Sequence, residues 1–352
     1  MASLKSVYWM LAGLMLSLSV TAAAGAQTST SPTAKAAVPA TALQLQNLDP
    51  TVTRDPFPPA NPKYFTATTP TVDTVNAFLK TLWGYDANRI WRVEAIQKTS
   101  APDVSKVIVF LSDKSPNAKV QTTAFFVTPD GKHAIAGDAV ISFGTTPFAE
   151  ARKTLEERAD GAARGAAGKD LLLVEFADLQ CPHCKDAQGT MDQLAKDFPN
   201  ARVVYQSFPL VEIHPFAFKA AAYGYCVEKQ KSTAFFPYAA AVFDTQAALT
   251  PQSGDMTLRN AVVKAGLDPA AVEACSTTQA IKDQVNASIK LAQDLGVSET
   301  PMLAVNGHLL PIAQVPYETL KSIVTYQASL DGVSTGASTT AVHSSKPPTL
   351  GK

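Results

Sequence analysis

Cys181 and Cys184 stand two residues apart, with Pro182 and His183 between them. This spacing suits thiol–disulfide exchange. A thiolate attacks a disulfide, and a second thiol one helical turn away resolves the mixed disulfide. Two other readings of the spacing are weaker. A structural zinc site needs four ligands, usually two such pairs. The remaining cysteines, Cys226 and Cys275, are single, far apart and without a paired His, so no metal site is expected. A purely structural cross-link over two residues closes almost no loop and stabilises little.

The neighbouring elements must place this dithiol. Leu171–Phe176 is a near-continuous apolar run, the pattern of a strand buried on both faces. It leads into Cys181, and Lys185–Phe198 then reads as a helix with Met191, Leu194 and Phe198 inward. Cys181 therefore falls at a helix start, where free N–H groups and the helix dipole favour a negative sulfur. It is expected to be the exposed, low-pKa nucleophile, and Cys184 the buried resolving thiol. Pro182 suits the first helical turn, where its missing N–H costs nothing. His183 can add positive charge or a hydrogen bond beside the Cys181 sulfur.

Downstream, Ala201–Gln206 reads as a strand. Helices are expected over Ala217–Cys226, Phe235–Asp244, Thr257–Ala265 and Ala280–Leu295, the last stopped by Gly296. Met302–Val305, the Asn306-Gly307 turn and His308–Leu310 form a hairpin, and Tyr317–Leu330 closes with a helix.

Upstream, a second block occupies residues 63–147. Thr71–Leu82 has helical periodicity. Trp91–Ile96, Lys106–Leu111, Thr122–Thr128 and His133–Phe143 read as strands, with a turn at Pro129-Asp130-Gly131-Lys132. Tyr64, Phe65, Trp83, Tyr85 and Trp91 are expected in its core. Residues 148–167 read as a connector helix. His133 and His308 lie beside turns and are expected at the surface. His214, before Pro215, reads as a helix cap.

The termini carry an address and little else. Lys5, the apolar stretch Val7–Val20 and the small residues Ala22–Ala26 have the layout of a secretory signal peptide, residues 1–26, cut after Ala24 or Ala26. Residues 27–62 and 331–352 are rich in Thr, Ser, Ala, Gly and Pro, and read as a disordered linker and tail. Lys+Arg and Asp+Glu balance at 30 each, so no charge excess points to nucleic acid. A periplasmic or secreted location follows from the signal segment.

Residues 168–330 resemble the DsbA-type branch of the thioredoxin superfamily. The matching pieces are Val174-Glu175-Phe176, the CPHC motif, His214-Pro215-Phe216-Ala217, and the run Leu295–Pro301 before the Asn306-Gly307 turn. The resemblance implies an α/β thioredoxin-like fold with an inserted helical subdomain at about 212–294, here preceded by a small α+β domain. By position it implies that Pro301 is cis and, with Thr300, bares backbone beside Cys181 for a substrate strand. It also implies that Glu175 is a buried acid able to take the Cys184 proton. Cys226 and Cys275 fall in the insertion. In an oxidising compartment they are expected to pair as a structural disulfide, the alternative being two buried thiols.

The hairpin Phe125–His133 with Gly137, followed by the connector, is similar to the N-terminal dimerisation domain of the DsbC/DsbG isomerases. The chain thus reads as an exported enzyme that forms or rearranges disulfides. Its expected partners are exported proteins with thiols or disulfides, an unidentified redox partner and a second copy in a homodimer; no cofactor is expected. The other readings are a dimeric isomerase or reductase of DsbC/DsbG type, and a chaperone-like client-binding module with secondary redox activity.

Overall fold

The computed structural model describes residues 56–335 except residue 116. The expected signal segment, the linker as far as residue 55 and the tail beyond residue 335 lie outside the described residues. The chain divides into two compact units, and the division falls within the first helix, α1 (Val72–Trp83).

The first unit holds an antiparallel meander in the order β1 (Arg89–Lys98), β2 (Ser105–Asp113), β3 (Gln121–Val127), β4 (His133–Ala136), β5 (Ala139–Ser142). Along β2 buried and half-buried residues alternate from Ser105 to Phe110, so one face carries the core residues Val107 and Val109. Val75, Val93, Ile96, Phe125 and Val127 join them in the interior. The Thr128–His133 turn closes through Asp130, whose carboxylate accepts from Lys132 N at 2.9 Å and Thr128 Oγ1 at 2.6 Å. The segment His133–Phe143, read as one strand, is instead a hairpin. Gly137 at φ +65° turns the chain between β4 and β5, a conformation costly for other residues.

The second unit takes in Phe78–Ala87 and, from Thr145 onward, starts with α2 (Ala149–Arg158). The connector expected over 148–167 ends there, and β6 (Ala162–Gly165) follows as a sheet strand. Gly161 allows this, because a Cβ there would lie 2.0 Å from the Tyr205 carbonyl oxygen. The thioredoxin-like domain therefore starts before residue 168. Its sheet runs β10-β9-β7-β8-β6, with β7 (Leu172–Ala177), β8 (Arg202–Ser207), β9 (Met302–Val305) and β10 (His308–Pro311). β7 and β8 are parallel; β6 pairs antiparallel to β8, and β9 and β10 run antiparallel to β7 and to each other. Every residue of β7 is buried, Glu175 included, in keeping with its near-continuous apolar pattern.

α3 (Pro182–Asp197) follows β7, and α9 (Tyr317–Leu330) follows β10. Between β8 and β9 lies the insertion: α4 (Ala217–Gln230), α5 (Phe235–Asp244), α6 (Gly254–Lys264), α7 (Pro269–Ser276) and α8 (Gln279–Asp294). α7 is absent from the sequence reading, although Asp268 caps it by accepting from Ala270 N at 3.0 Å and Pro269 opens it. One apolar cluster joins Met191 and Leu194 of α3, and Phe198 at its C-cap, to Leu303, Val305, Leu320 and Val324. Tyr85 packs on this cluster, so it does not serve the first unit's core as expected. A second cluster fills the insertion around Tyr223, Tyr238, Val242 and Leu258.

The β9–β10 hairpin is pinned at its turn. Asn306 accepts from Leu172 N at 2.7 Å and donates to Asp170 O at 3.0 Å and Asp331 Oδ2 at 2.6 Å. Asp331 and Val333, placed in a disordered tail by composition, are thus packed: Val333 lies against the α3–α9 cluster. His308, expected at the surface, is buried and stacks on Phe148 with centroids 4.2 Å apart. A turn-flanking position says nothing of what α2 later lays over it.

Candidate functional site

β7 delivers its last side chains into a short loop, Asp178-Leu179-Gln180, and Cys181 caps the N-terminus of α3. Cys181 keeps extended backbone (φ −77°, ψ 122°) and Pro182 occupies the first helical turn. Cys184 and Lys185 donate their N–H groups to Cys181 O at 3.1 and 3.3 Å, so the helix starts at the dithiol itself. Cys184 lies on the inward stripe with Ala187, Met191 and Leu194.

The two thiols, both reduced here, differ sharply. The Cys181 thiol is held down to about 5. The main cause is the hydrogen bond from Cys184; burial opposes it, and contacts with Thr300 and the backbone N–H groups of Cys184 and His183 assist. The Cys184 thiol is pushed well up, first by burial and then by the neighbouring Cys181 sulfur. Asp178 N donates to Cys184 Sγ at 3.4 Å. At neutral pH Cys181 is therefore a thiolate beside a protonated partner, the arrangement that attacks or releases disulfides.

Two expectations change in detail. Cys181 is only 4% exposed, because it joins the apolar cluster of the insertion and faces Thr300. The His183 side chain is exposed, and it is the His183 backbone N–H that favours the thiolate.

Thr300 and Pro301 lie opposite the dithiol. Their peptide bond is cis, and Cys181 Sγ sits 3.7 Å from Thr300 O. Glu175 is buried on β7, and desolvation raises its carboxyl to about 7 against a weaker, opposing hydrogen bond from Gln188. Gln188 Nε2 donates to Glu175 Oε1 and to Cys184 O, each at 3.0 Å. The tertiary structure thus gathers Glu175, Cys181, Pro182, His183, Cys184, Thr300 and Pro301 at one end of the sheet. Cys226 and Cys275 lie apart from this group, bonded to each other between α4 and α7. Among the described residues no group of three or more His, Cys, Asp or Glu could hold a metal ion.

Sequence reasoning passed over Asp178, Gln188 and Gln246, and gave His214 too small a part. Asp178 is buried and accepts from Gln180 N, Leu210 N and His214 Nδ1 at 2.7, 2.9 and 2.7 Å. An acid three residues before a CxxC was a visible signal. Gln246 Nε2 donates to Leu179 O and Cys181 O at 2.8 and 2.9 Å. Nothing local marks Gln246, since its partners lie more than 60 residues away.

The sheet order, the dithiol at the start of α3 and the helices inserted between β8 and β9 define a thioredoxin-like fold with an inserted helical subdomain. The family model described as thioredoxin matches residues 159–325, just under half of the chain, and takes in β6, as the sheet does.

Solved structures with some likeness include a periplasmic thioredoxin-like protein from Salmonella enterica serovar Typhimurium. It shows 21% identity and a TM-score of 0.43, over 51% of this chain and 97% of that one. The catalytic domain of ScsC from Proteus mirabilis shows 21% and 0.43, over 51% and 98%. BdbD from Bacillus subtilis shows 18% and 0.43, over 48% and 93%.

Similar curated proteins include Na(+)/H(+) antiporters. NhaA 1 of Salinispora arenicola is 38% identical over 58 residues, 16% of this chain and 9% of that protein. NhaA 1 of Mycolicibacterium vanbaalenii is 28% identical over 145 residues, 41% and 23%. The chain therefore spans no more than about a quarter of either relative's length. Among the described residues no helix is long and apolar enough to cross a membrane.

Proposed function

We propose that this protein is an exported thiol–disulfide oxidoreductase that forms or rearranges disulfides in extracytoplasmic proteins through Cys181 and Cys184. The observation that carries this reading is the placement of the two thiols, Cys181 at the N-cap of α3 with its Sγ 3.7 Å from Thr300 O and Cys184 buried one turn further in; it accords with one thiol held near 5 and the other pushed well up. A low nucleophile pKa stabilises the reduced form, so the Cys181–Cys184 disulfide is an oxidant.

In the oxidising direction a client thiolate attacks Cys181 Sγ of the disulfide. The Cys181–Cys184 bond breaks, a mixed disulfide forms, and the Cys184 sulfur leaves and takes a proton. A second client thiolate attacks the client sulfur, closing the client disulfide and releasing Cys181 as thiolate. The client loses two electrons and the protein gains them. A redox partner carrying a disulfide restores the starting state. In reverse, Glu175, raised to about 7, accepts the Cys184 proton so that Cys184 can attack. The backbone at Thr300, beside Cys181, offers an extended client a place to pair.

The signal-like first 26 residues support a periplasmic or secreted location. Equilibration of the mature protein with glutathione, followed by oxidation of reduced ribonuclease, tests the reading. The expected result is an oxidising dithiol and recovery of ribonuclease activity. A dithiol inert to glutathione overturns it.

A second reading, the DsbC/DsbG-like isomerase or client-holding module, is favoured by one feature of the first unit. Phe126, Ile135 and Val140 are directly paired across β3, β4 and β5 and are 39%, 37% and 66% exposed. Such a row suits a second copy or an unfolded client. Sedimentation of the mature protein, with rescue of scrambled ribonuclease by wild type and by a Val140→Glu variant, separates the readings. A monomer whose rescue is unchanged by the substitution supports a simple oxidase.

A further inference from the structure

The loop between β7 and Cys181 is held by the helical insertion. Asp178 accepts from Leu210 N and His214 Nδ1, both ahead of α4. Gln180 accepts from Phe216 N at 2.7 Å and donates to Leu249 O at 3.2 Å. Gln246, in the turn after α5, spans Leu179 O and Cys181 O with one amide nitrogen. Each of the four residues Asp178–Cys181 is thus tied to a segment that the thioredoxin sheet does not contain.

These ties reach both sulfurs. Cys181 O is also the acceptor that starts α3, so a donor from Gln246 fixes the helix start on which Cys181 Sγ rides. Asp178 directs its N–H at Cys184 Sγ while its own carboxylate is fully buried. A buried carboxylate persists only with donors around it. His214 supplies one from a side chain that is itself still partly open to solvent.

We propose that the helical insertion clamps the dithiol loop, and that His214 and Gln246 are its positioning residues. The proposal rests on the oxidoreductase reading. It assigns the insertion a part in setting the reactivity of Cys181, beyond covering the site. The side chains act through hydrogen bonds to loop atoms and do not themselves touch a client sulfur.

The test uses full-length mature protein carrying Gln246→Met, which keeps shape without the donor, His214→Ala, or His214→Asn, whose amide can still donate to Asp178. Two quantities are read: the pH midpoint of Cys181 alkylation and the equilibrium constant with glutathione. Urea unfolding of each variant reports stability separately. Gln246→Met and His214→Ala should raise the alkylation midpoint and make the disulfide less oxidising, by roughly threefold to tenfold for each hydrogen bond lost. His214→Asn should restore values close to wild type.

If Gln246→Met and His214→Ala keep wild-type midpoints and equilibria, the clamp is overturned. A His214→Asn protein as impaired as His214→Ala overturns the donor role of His214. If one variant does not fold, the other decides. A wild-type protein inert to glutathione defeats the oxidoreductase reading instead, and the alkylation midpoints still decide the clamp.

Discussion

Gln188 joins Glu175 to the dithiol: its amide nitrogen lies 3.0 Å from the buried carboxyl and 3.0 Å from the Cys184 carbonyl. The acid beneath the site is therefore tied to the turn that carries the resolving thiol. Its consequences can be measured in stability as well as in exchange.

The folded protein holds the Glu175 carboxyl near 7, well above its ordinary 4.5. Between those values the unfolded chain has lost a proton that the folded chain keeps, so stability falls as pH rises through that window. Glu175→Gln removes this loss. Urea unfolding should show the variant gaining about 3 kcal/mol over wild type between pH 4 and pH 8. The same variant should resolve mixed disulfides more slowly. A variant whose stability tracks wild type at both pH values would contradict the assignment.

His308 titrates in the opposite sense. Burial lowers its imidazole from 6.5 to about 4. As pH falls through that window the unfolded chain takes up a proton that the folded chain refuses, and stability is lost. His308→Gln removes this loss. Relative to wild type the variant should gain about 3 kcal/mol as pH falls from 7 to 4 in urea unfolding. A variant whose profile runs parallel to wild type over that range would contradict the burial argument.

The dithiol predicts its own labelling pattern. With Cys181 near 5 and Cys184 pushed well up, iodoacetamide at pH 6 should modify Cys181 alone in the reduced protein. Cys181→Ser should abolish exchange. Cys184→Ser should accumulate mixed disulfides with clients. Peptide mapping by mass spectrometry checks the first; equal labelling of both cysteines rules the assignment out.

The bond between Cys226 and Cys275 closes a loop of 49 residues in sequence separation. By loop entropy a closure of this length stabilises by about 4 kcal/mol. Replacing both with Ser should lower stability on the order of 2–4 kcal/mol. Cys181 should still label at pH 6. Mild reductant should open Cys181–Cys184 before Cys226–Cys275. Unchanged stability of the double variant would refute the role.

The sequence by itself determined the proposed working group and its local setting. An apolar run, then Cys-x-x-Cys with Pro at the second position, then a helical period is a local pattern. Local patterns set local structure: β7, the start of α3 and the Cys184 stripe all follow from it. The Asn306-Gly307 hairpin and the helix ending at Leu330 were equally legible, because turn chemistry and periodicity act over a few residues.

Only the tertiary structure decided what surrounds those elements. β6 is a strand because Gly161 lets it approach Tyr205, 44 residues on. His308 is buried because Phe148 stacks on it from α2. Gln246 and His214 reach the dithiol loop from an insertion whose path between β8 and β9 no short window reveals. Burial and long-range hydrogen bonds depend on which segments meet, and that is a property of the packed chain. They turn two cysteines of the same spelling into one thiolate and one protonated thiol.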